Sequence, residues 1–116
     1  MSPPRLRAET ADGVRWIIAD SPARLNAYTE AMWAALPGLI LQAADDPQVR
    51  VIVLTGAGES FCSGGNVKEM RDGTHPMFTG APHAMQEAYR RHIPRIPRAF
   101  HGLDVPVVAA VNGTAL

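Results

Sequence analysis

The sequence predicts an α/β domain built on a partly parallel sheet, and three features lead there. Asp12-Gly13 sits between two strand-like runs, Arg5–Thr10 and Val14–Asp20. That is the signature of a hairpin whose type I′ turn needs positive φ at both central residues. Val49–Thr55 (VRVIVLT) is β-branched, almost wholly apolar and bounded by turn residues, as expected of a strand covered on both faces in a parallel sheet. Val105–Val111 (VPVVAAV) reads as a second buried strand. Helical sequence precedes each of these two runs, and strand–helix alternation is what a parallel sheet requires. At 116 residues the chain supports one domain at most.

The remaining elements follow in order. Ser21-Pro22-Ala23-Arg24-Leu25-Asn26-Ala27 reads as a loop. Thr29 is placed to cap a helix running to about Asp45, with Glu30 in its first turn where the helix dipole favours a negative charge. Met32, Leu36, Leu39, Ile40 and Ala43 recur at helical spacing. Pro37 lacks the amide that would bond the Trp33 carbonyl, so a kink or a split is expected there. Gly56–Gly65 (GAGESFCSGG) reads as a glycine-rich loop, followed by a short helix from Asn66 to about Arg71. Asp72–Pro82 has no periodicity and reads as a surface loop. His83 to about Gly102 reads as helical, interrupted or bent by Pro94 and Pro97. Asn112-Gly113 turns the chain. A buried strand, a tight turn and then Thr114-Ala115-Leu116 is an abrupt finish, so a fragment cut just before the next element is expected.

Composition narrows the function classes. The chain is 47% hydrophobic and 19% charged, inside the globular range. Eleven Lys+Arg balance eleven Asp+Glu, which argues against a dedicated nucleic-acid binder or a polybasic membrane anchor. The first residues lack the layout of a signal peptide, and the longest apolar run is far short of the roughly 20 residues that cross a bilayer. The single cysteine, Cys62, cannot form an internal disulfide, so a reducing cytoplasm is expected. The four histidines (His75, His83, His92, His101) have no companions at metal-ligand spacing, and no zinc site is legible.

The glycine loop is the richest local signal, and three common motifs fail on it. A dinucleotide fingerprint from Gly56 would need glycine at Phe61. A phosphate-binding P-loop would need Lys-Ser/Thr after the glycines, where Gly65-Asn66 stands. A nucleophile elbow meets Cys62 where glycine belongs. Two readings stay open. Ser63-Gly64-Gly65 is either a plain connection or a place where free backbone N–H groups at a helix start hold a developing oxyanion. Cys62 has no base legible in sequence and reads as a buried structural thiol. Arg91, Arg95 and Arg98, with Arg90 beside them, read as a solvated face or an oligomer rim rather than an anion site. Trp16 and Trp33 read as packing aromatics and the histidines as surface residues. No carboxylate pair is placed for acid–base work.

Four segments in register resemble the N-terminal part of the crotonase (enoyl-CoA hydratase/isomerase) superfamily. They are Ser21–Ala27 (SPARLNA), Val49–Gly58 (VRVIVLTGAG), Ser60–Met70 (SFCSGGNVKEM) and Val105–Gly113 (VPVVAAVNG). The resemblance implies that residues 1–116 form the N-terminal part of a single crotonase-like domain, an incomplete β-β-α spiral. It implies a trimer or hexamer when full length, and chemistry on acyl-CoA thioesters. Two backbone amides would polarise the thioester carbonyl and stabilise an enolate, the first being that of Gly65. Ser63, Gly64, Asn66, Val67 and Lys68 would line the same ligand, with Arg24, Leu25 and Ala27 in the coenzyme-contacting loop. No separate cofactor is implied, since coenzyme A is part of the substrate; neither a nucleic acid nor a membrane is an expected partner. Asn66 stands where the family usually has an acid. The second oxyanion glycine and the acid–base carboxylates are expected beyond Leu116, so the 116 residues alone are expected to be inactive. The family reading leads with an enoyl-CoA hydratase of acyl-CoA catabolism. Isomerase, hydrolase and synthase reactions on the same scaffold, or a non-catalytic coenzyme- or RNA-binding relative, are the alternatives.

Overall fold

The structure, a computed structural model, describes residues 5–73, 80–92 and 94–116. Strands β1 (Arg5–Ala11) and β2 (Val14–Asp20) form the expected hairpin. Asp12 and Gly13 carry φ of 52° and 82°, the two positive values of a type I′ turn. A 3₁₀ turn (Pro22–Arg24) leads to helix α1 (Glu30–Asp45). Then come β3 (Val51–Gly56), β4 (Ser60–Cys62), α2 (Val67–Asp72), α3 (Pro82–His92), α4 (Arg95–Phe100), β5 (Val107–Ala109) and β6 (Thr114–Ala115).

The main sheet has the order β1-β2-β3-β5, with β3 parallel to both of its neighbours. Helix α1 lies across one face of it. Met32, Leu36, Ile40 and Ala43 repeat at helical spacing and are all buried. Leu36, Ile40 and Ala43 join Ile17 of β2, Ile52 of β3, Val49 and Ala99 of α4 in one core. Thr29 caps α1 as expected, its hydroxyl accepting from the Met32 amide at 3.3 Å. Of the kink or split expected at Pro37, the split does not occur, and α1 runs unbroken to Asp45. Proline in a helix interior costs about 3 kcal/mol. The buried stripe continues on both sides of it, so packing holds the two halves in one helix.

Other elements depart from the sequence reading. The glycine loop contains a strand, β4, which pairs in parallel with β6 as Ser60↔Thr114 and Cys62↔Ala115. The final residues thus belong to a second, two-stranded sheet. The run at 105–111 is not a buried strand. Only Val107–Ala109 pairs, at the sheet edge, and Val108 and Val111 are 50% and 56% exposed. An edge strand with one partner leaves such residues open. The 21–27 loop contains the 3₁₀ turn, consistent with Pro22 at its first position. The helical break falls between His92 and Arg95, while Pro97 sits in the first turn of α4 without ending it. Most of the expected 72–82 loop lies outside the described residues, as does His75. Among the described residues no helix is long and apolar enough to cross a membrane, and no cluster of side chains could hold a metal.

Candidate functional site

The two segments marked by the sequence, 21–28 and 60–66, meet. After the 3₁₀ turn the chain passes through two left-handed residues, Leu25 (φ 54°) and Asn26 (φ 55°). This reverses it alongside β4. Three main-chain bonds then join the segments: Ser63 N to Leu25 O at 3.1 Å, Tyr28 N to Gly64 O at 2.9 Å and Asn66 N to Tyr28 O at 3.0 Å. The last two form a parallel bridge centred on Tyr28 and opposite Gly65. In that pattern Tyr28 uses both of its backbone groups, while the N–H and C=O of the residue opposite point away from it. Among the described residues the Gly65 N–H donates no hydrogen bond, so it is free and turned outward.

Two asparagines fix the turn that starts β4. Asn26 is fully buried. Its Oδ1 accepts from the Ser21 amide at 2.8 Å, and its Nδ2 donates to Ala57 O at 2.9 Å and Ser60 O at 2.6 Å. From the other side Asn112 Nδ2 donates to Gly56 O (2.9 Å) and Gly58 O (2.8 Å), and its Oδ1 accepts from Gly56 N at 3.2 Å. Gly56 has to be glycine here. An added Cβ would overlap the Ser60 carbonyl and lie 2.7 Å from Asn26 Nδ2. Sequence reasoning missed Asn26 as a structural element and saw Asn112 only as a turn residue. The available signal was an asparagine in a loop that must reverse direction, since asparagine tolerates the left-handed region.

Beyond β4 the chain is held by side chains. Cys62 Sγ accepts from the Gly64 amide at 3.3 Å. The thiol is half-buried rather than buried. Asn66 caps α2, its Oδ1 accepting from Glu69 N at 3.1 Å; this is the role a carboxylate at that position would fill. Glu69 in turn accepts from the Glu30 amide (3.3 Å) at the start of α1, locking α2 to α1. Of the expected ligand-lining residues, Ser63, Gly64, Gly65 and Asn66 are half-buried and in direct backbone contact with 25–28 or next to it. Ala27 is half-buried, while Arg24 and Leu25 are exposed beside them, Leu25 at 57%. Val67 (73% exposed) and Lys68 lie on the outer face of α2's first turn. His83, His101, Arg91, Arg95 and Arg98 are exposed, as expected.

Between α1, α4 and the β4–β6 sheet lies an apolar cavity of about 310 Å³, which Ala115 and Leu116 help to line. Its wall includes Tyr28, Trp33, Leu54, Phe61, Cys62 and Phe100. Tyr28 and Trp33 pack with ring centroids 5.2 Å apart and planes tilted by 50°. Burial pushes the Tyr28 hydroxyl up to about 12, with the charge on Cys62 a second cause.

A backbone N–H left free beside β4 can donate to an oxygen that carries partial negative charge. The chain belongs to the enoyl-CoA hydratase/isomerase family, whose pattern matches residues 9–116. It is 35% identical over 106 residues to 6-oxocyclohex-1-ene-1-carbonyl-CoA hydrolase of Geobacter metallireducens, covering 89% of this chain and 26% of that protein. It is also 35% identical over 104 residues to 1,2-epoxyphenylacetyl-CoA isomerase of Escherichia coli, covering 89% of this chain and 38% of that protein. The crystal structure of an enoyl-CoA hydratase from Mycobacterium marinum superposes with a TM-score of 0.71 at 35% identity, covering 93% of this chain and 48% of the other. The fold is therefore crotonase-like, and the chain spans well under half the length of these curated relatives.

Proposed function

We propose that this chain forms the acyl-CoA-binding part of an enoyl-CoA hydratase. The Gly65 N–H serves as one donor to the thioester oxygen, and Arg24, Leu25, Ala27, Ser63, Gly64, Asn66, Val67 and Lys68 line the ligand. The observation that carries the reading is the outward, unpartnered Gly65 amide, held in place by the bridge to Tyr28. In hydration the hydroxyl of water adds to C3 of a trans-2-enoyl thioester and a proton adds to C2. Negative charge gathers on the thioester oxygen between the two steps. A preset backbone donor stabilises that charge without reorganising. Glu69, the nearest carboxylate in sequence after the glycine pair, is engaged at the start of α1, so the proton-moving groups are sought elsewhere in the protein. No separate cofactor is needed, because coenzyme A arrives with the substrate. A trimeric or hexameric cytoplasmic protein of acyl-CoA catabolism is the setting this reading implies.

A second reading is another reaction on the same scaffold. The relatives support it, since their names include a hydrolase and an isomerase of CoA thioesters. Incubating the intact protein with crotonyl-CoA tests the choice. Loss of the enoyl chromophore, reduced about 10²–10³-fold by Gly65→Pro, which removes the donor, is the expected result. No hydration, with turnover of a different thioester, would favour the second reading.

A further inference from the structure

Helix α2 is held by its polar groups. It has six residues and buries none of them, so apolar packing does not place it. Contacts with the start of α1 do. The amide of Asn66, its N-cap, bonds Tyr28 O. Further along, Glu69 is half-buried while Val67, Lys68 and Met70 are exposed. The Glu69 carboxylate accepts from the Glu30 amide, with its two oxygens at 3.3 and 3.4 Å. Glu30 is the first residue of α1, and the first N–H groups of a helix have no partner within it. Thr29 serves the Met32 amide, and Glu69 serves this one. The carboxylate thus sits at the positive end of a 16-residue helix and in the first turn of its own, where both dipoles favour negative charge.

The placement of α2 bears directly on Gly65. Tyr28 and Glu30, side by side with Thr29, take the Asn66 amide and the Glu69 carboxylate, so the two contacts clamp one short stretch of chain to another. The end of the Met70 side chain lies against Gly65, since a Cβ added there would be 2.7 Å from Met70 Cε. A shift of α2 away from α1 therefore pulls on the bridge at Tyr28 and drags Met70 across the glycine. We propose that Glu69 is a positioning residue: by holding the first amide of α1 it fixes α2, and through α2 it fixes the direction of the Gly65 N–H. The inference rests on the thioester-binding reading above.

The test compares the intact protein with Glu69→Ala, Glu69→Asp, Glu69→Gln and, as a control, Ile40→Val. Ile40 is fully buried in the core, so its truncation lowers stability without touching either clamped segment. A donor to developing charge is felt in kcat more than in KM. With crotonyl-CoA, Glu69→Ala should lower kcat about 10–10²-fold and change KM by less than about threefold. Glu69→Asp keeps the charge but draws it back by one methylene, and should lose kcat in the same direction, which keeps the test alive if alanine fails to fold. Glu69→Gln retains an acceptor for the Glu30 amide and should recover most of the loss, and Ile40→Val should stay within about twofold of the unaltered kcat. Hydrogen exchange at the Tyr28 and Asn66 amides, which make the bridge, should be about tenfold faster in Glu69→Ala than in Ile40→Val. An unchanged kcat in the alanine and aspartate variants, no recovery with glutamine, or equal exchange in Glu69→Ala and Ile40→Val overturns this inference alone. No turnover of crotonyl-CoA, or of a panel of saturated and cyclic acyl-CoA thioesters, by the unaltered protein overturns the thioester-binding reading and this inference with it.

Discussion

Replacing Asn26 by alanine removes three hydrogen bonds from a fully buried side chain. The Ser21 amide is buried and loses its acceptor, an exposure-free orphan costing about 1–3 kcal/mol. Ala57 is half-buried, so its carbonyl recovers a water, and its loss is about 1 kcal/mol. The Ser60 carbonyl keeps a second donor in Asn112 at 3.3 Å. Alanine at a φ of 55° adds roughly 1 kcal/mol of backbone strain. The sum is about 3–5 kcal/mol. At a urea slope of about 2 kcal/mol/M the unfolding midpoint of the intact protein should fall by about 1.5–2.5 M. Asn26→Gly loses the same bonds but tolerates the left-handed backbone, so it should be about 1 kcal/mol less harmful than alanine. A loss below about 1 kcal/mol for Asn26→Ala, or glycine proving the worse of the two, would refute the bookkeeping and the view that Asn26 holds the β4 turn.

Three further outcomes are expected. Pro37→Ala restores the amide facing the Trp33 carbonyl inside an otherwise regular helix, and should raise the thermal midpoint by an amount equivalent to about 1–3 kcal/mol; a fall would show that the proline ring itself is packed into the fold. Thr29→Ala removes the cap of α1 and should cost about 1 kcal/mol in urea unfolding, while Thr29→Ser should cost little. Tyr28 titrates at about 12 when folded, against 10.0 ordinarily. The unfolded chain therefore gives up this proton first, and stability should be intact below pH 10 and fall by about 2–3 kcal/mol as pH rises from 10 to 12. Urea midpoints across that range in Tyr89→Phe and Tyr28→Phe proteins check this, because only the former should show the drop at Tyr28.

What the sequence made legible was whatever depends on neighbours along the chain. The Asp12-Gly13 turn, the Thr29 cap and the stripe from Met32 to Ala43 are local devices, and each stands where its pattern indicates. The run in β3 was legible as a parallel strand because it is β-branched and bounded by turn residues, although of its residues only Ile52 and Gly56 are buried rather than both faces being covered. The errors share a cause, which is distance. β4 is three residues long, and its partner lies more than fifty positions away. The exposure of Val108 and Val111 depends on whether a further strand lies beyond β5, which no local pattern reports. Pro37 obeys its local rule less than the packing around it. At the candidate site the glycines and the 24–27 and 63–68 segments were found through the resemblance. The side chains that hold them, Asn26 and Asn112, were not, because their bonds run to carbonyls 31 to 56 residues distant.

The pairing of β4 with β6 sets a timetable for synthesis. A chain emerging from the ribosome can make the hairpin and α1 early, as nearby segments generally do. The strand leading into the glycine pair has nothing to pair with until Thr114 and Ala115 have left the exit tunnel. Asn112 must arrive as well before it can grip the turn at Gly56. The turn at Gly56 and β4 are therefore the last of these elements to settle, and a nascent chain stalled before residue 112 should carry a formed hairpin and an unpaired β4.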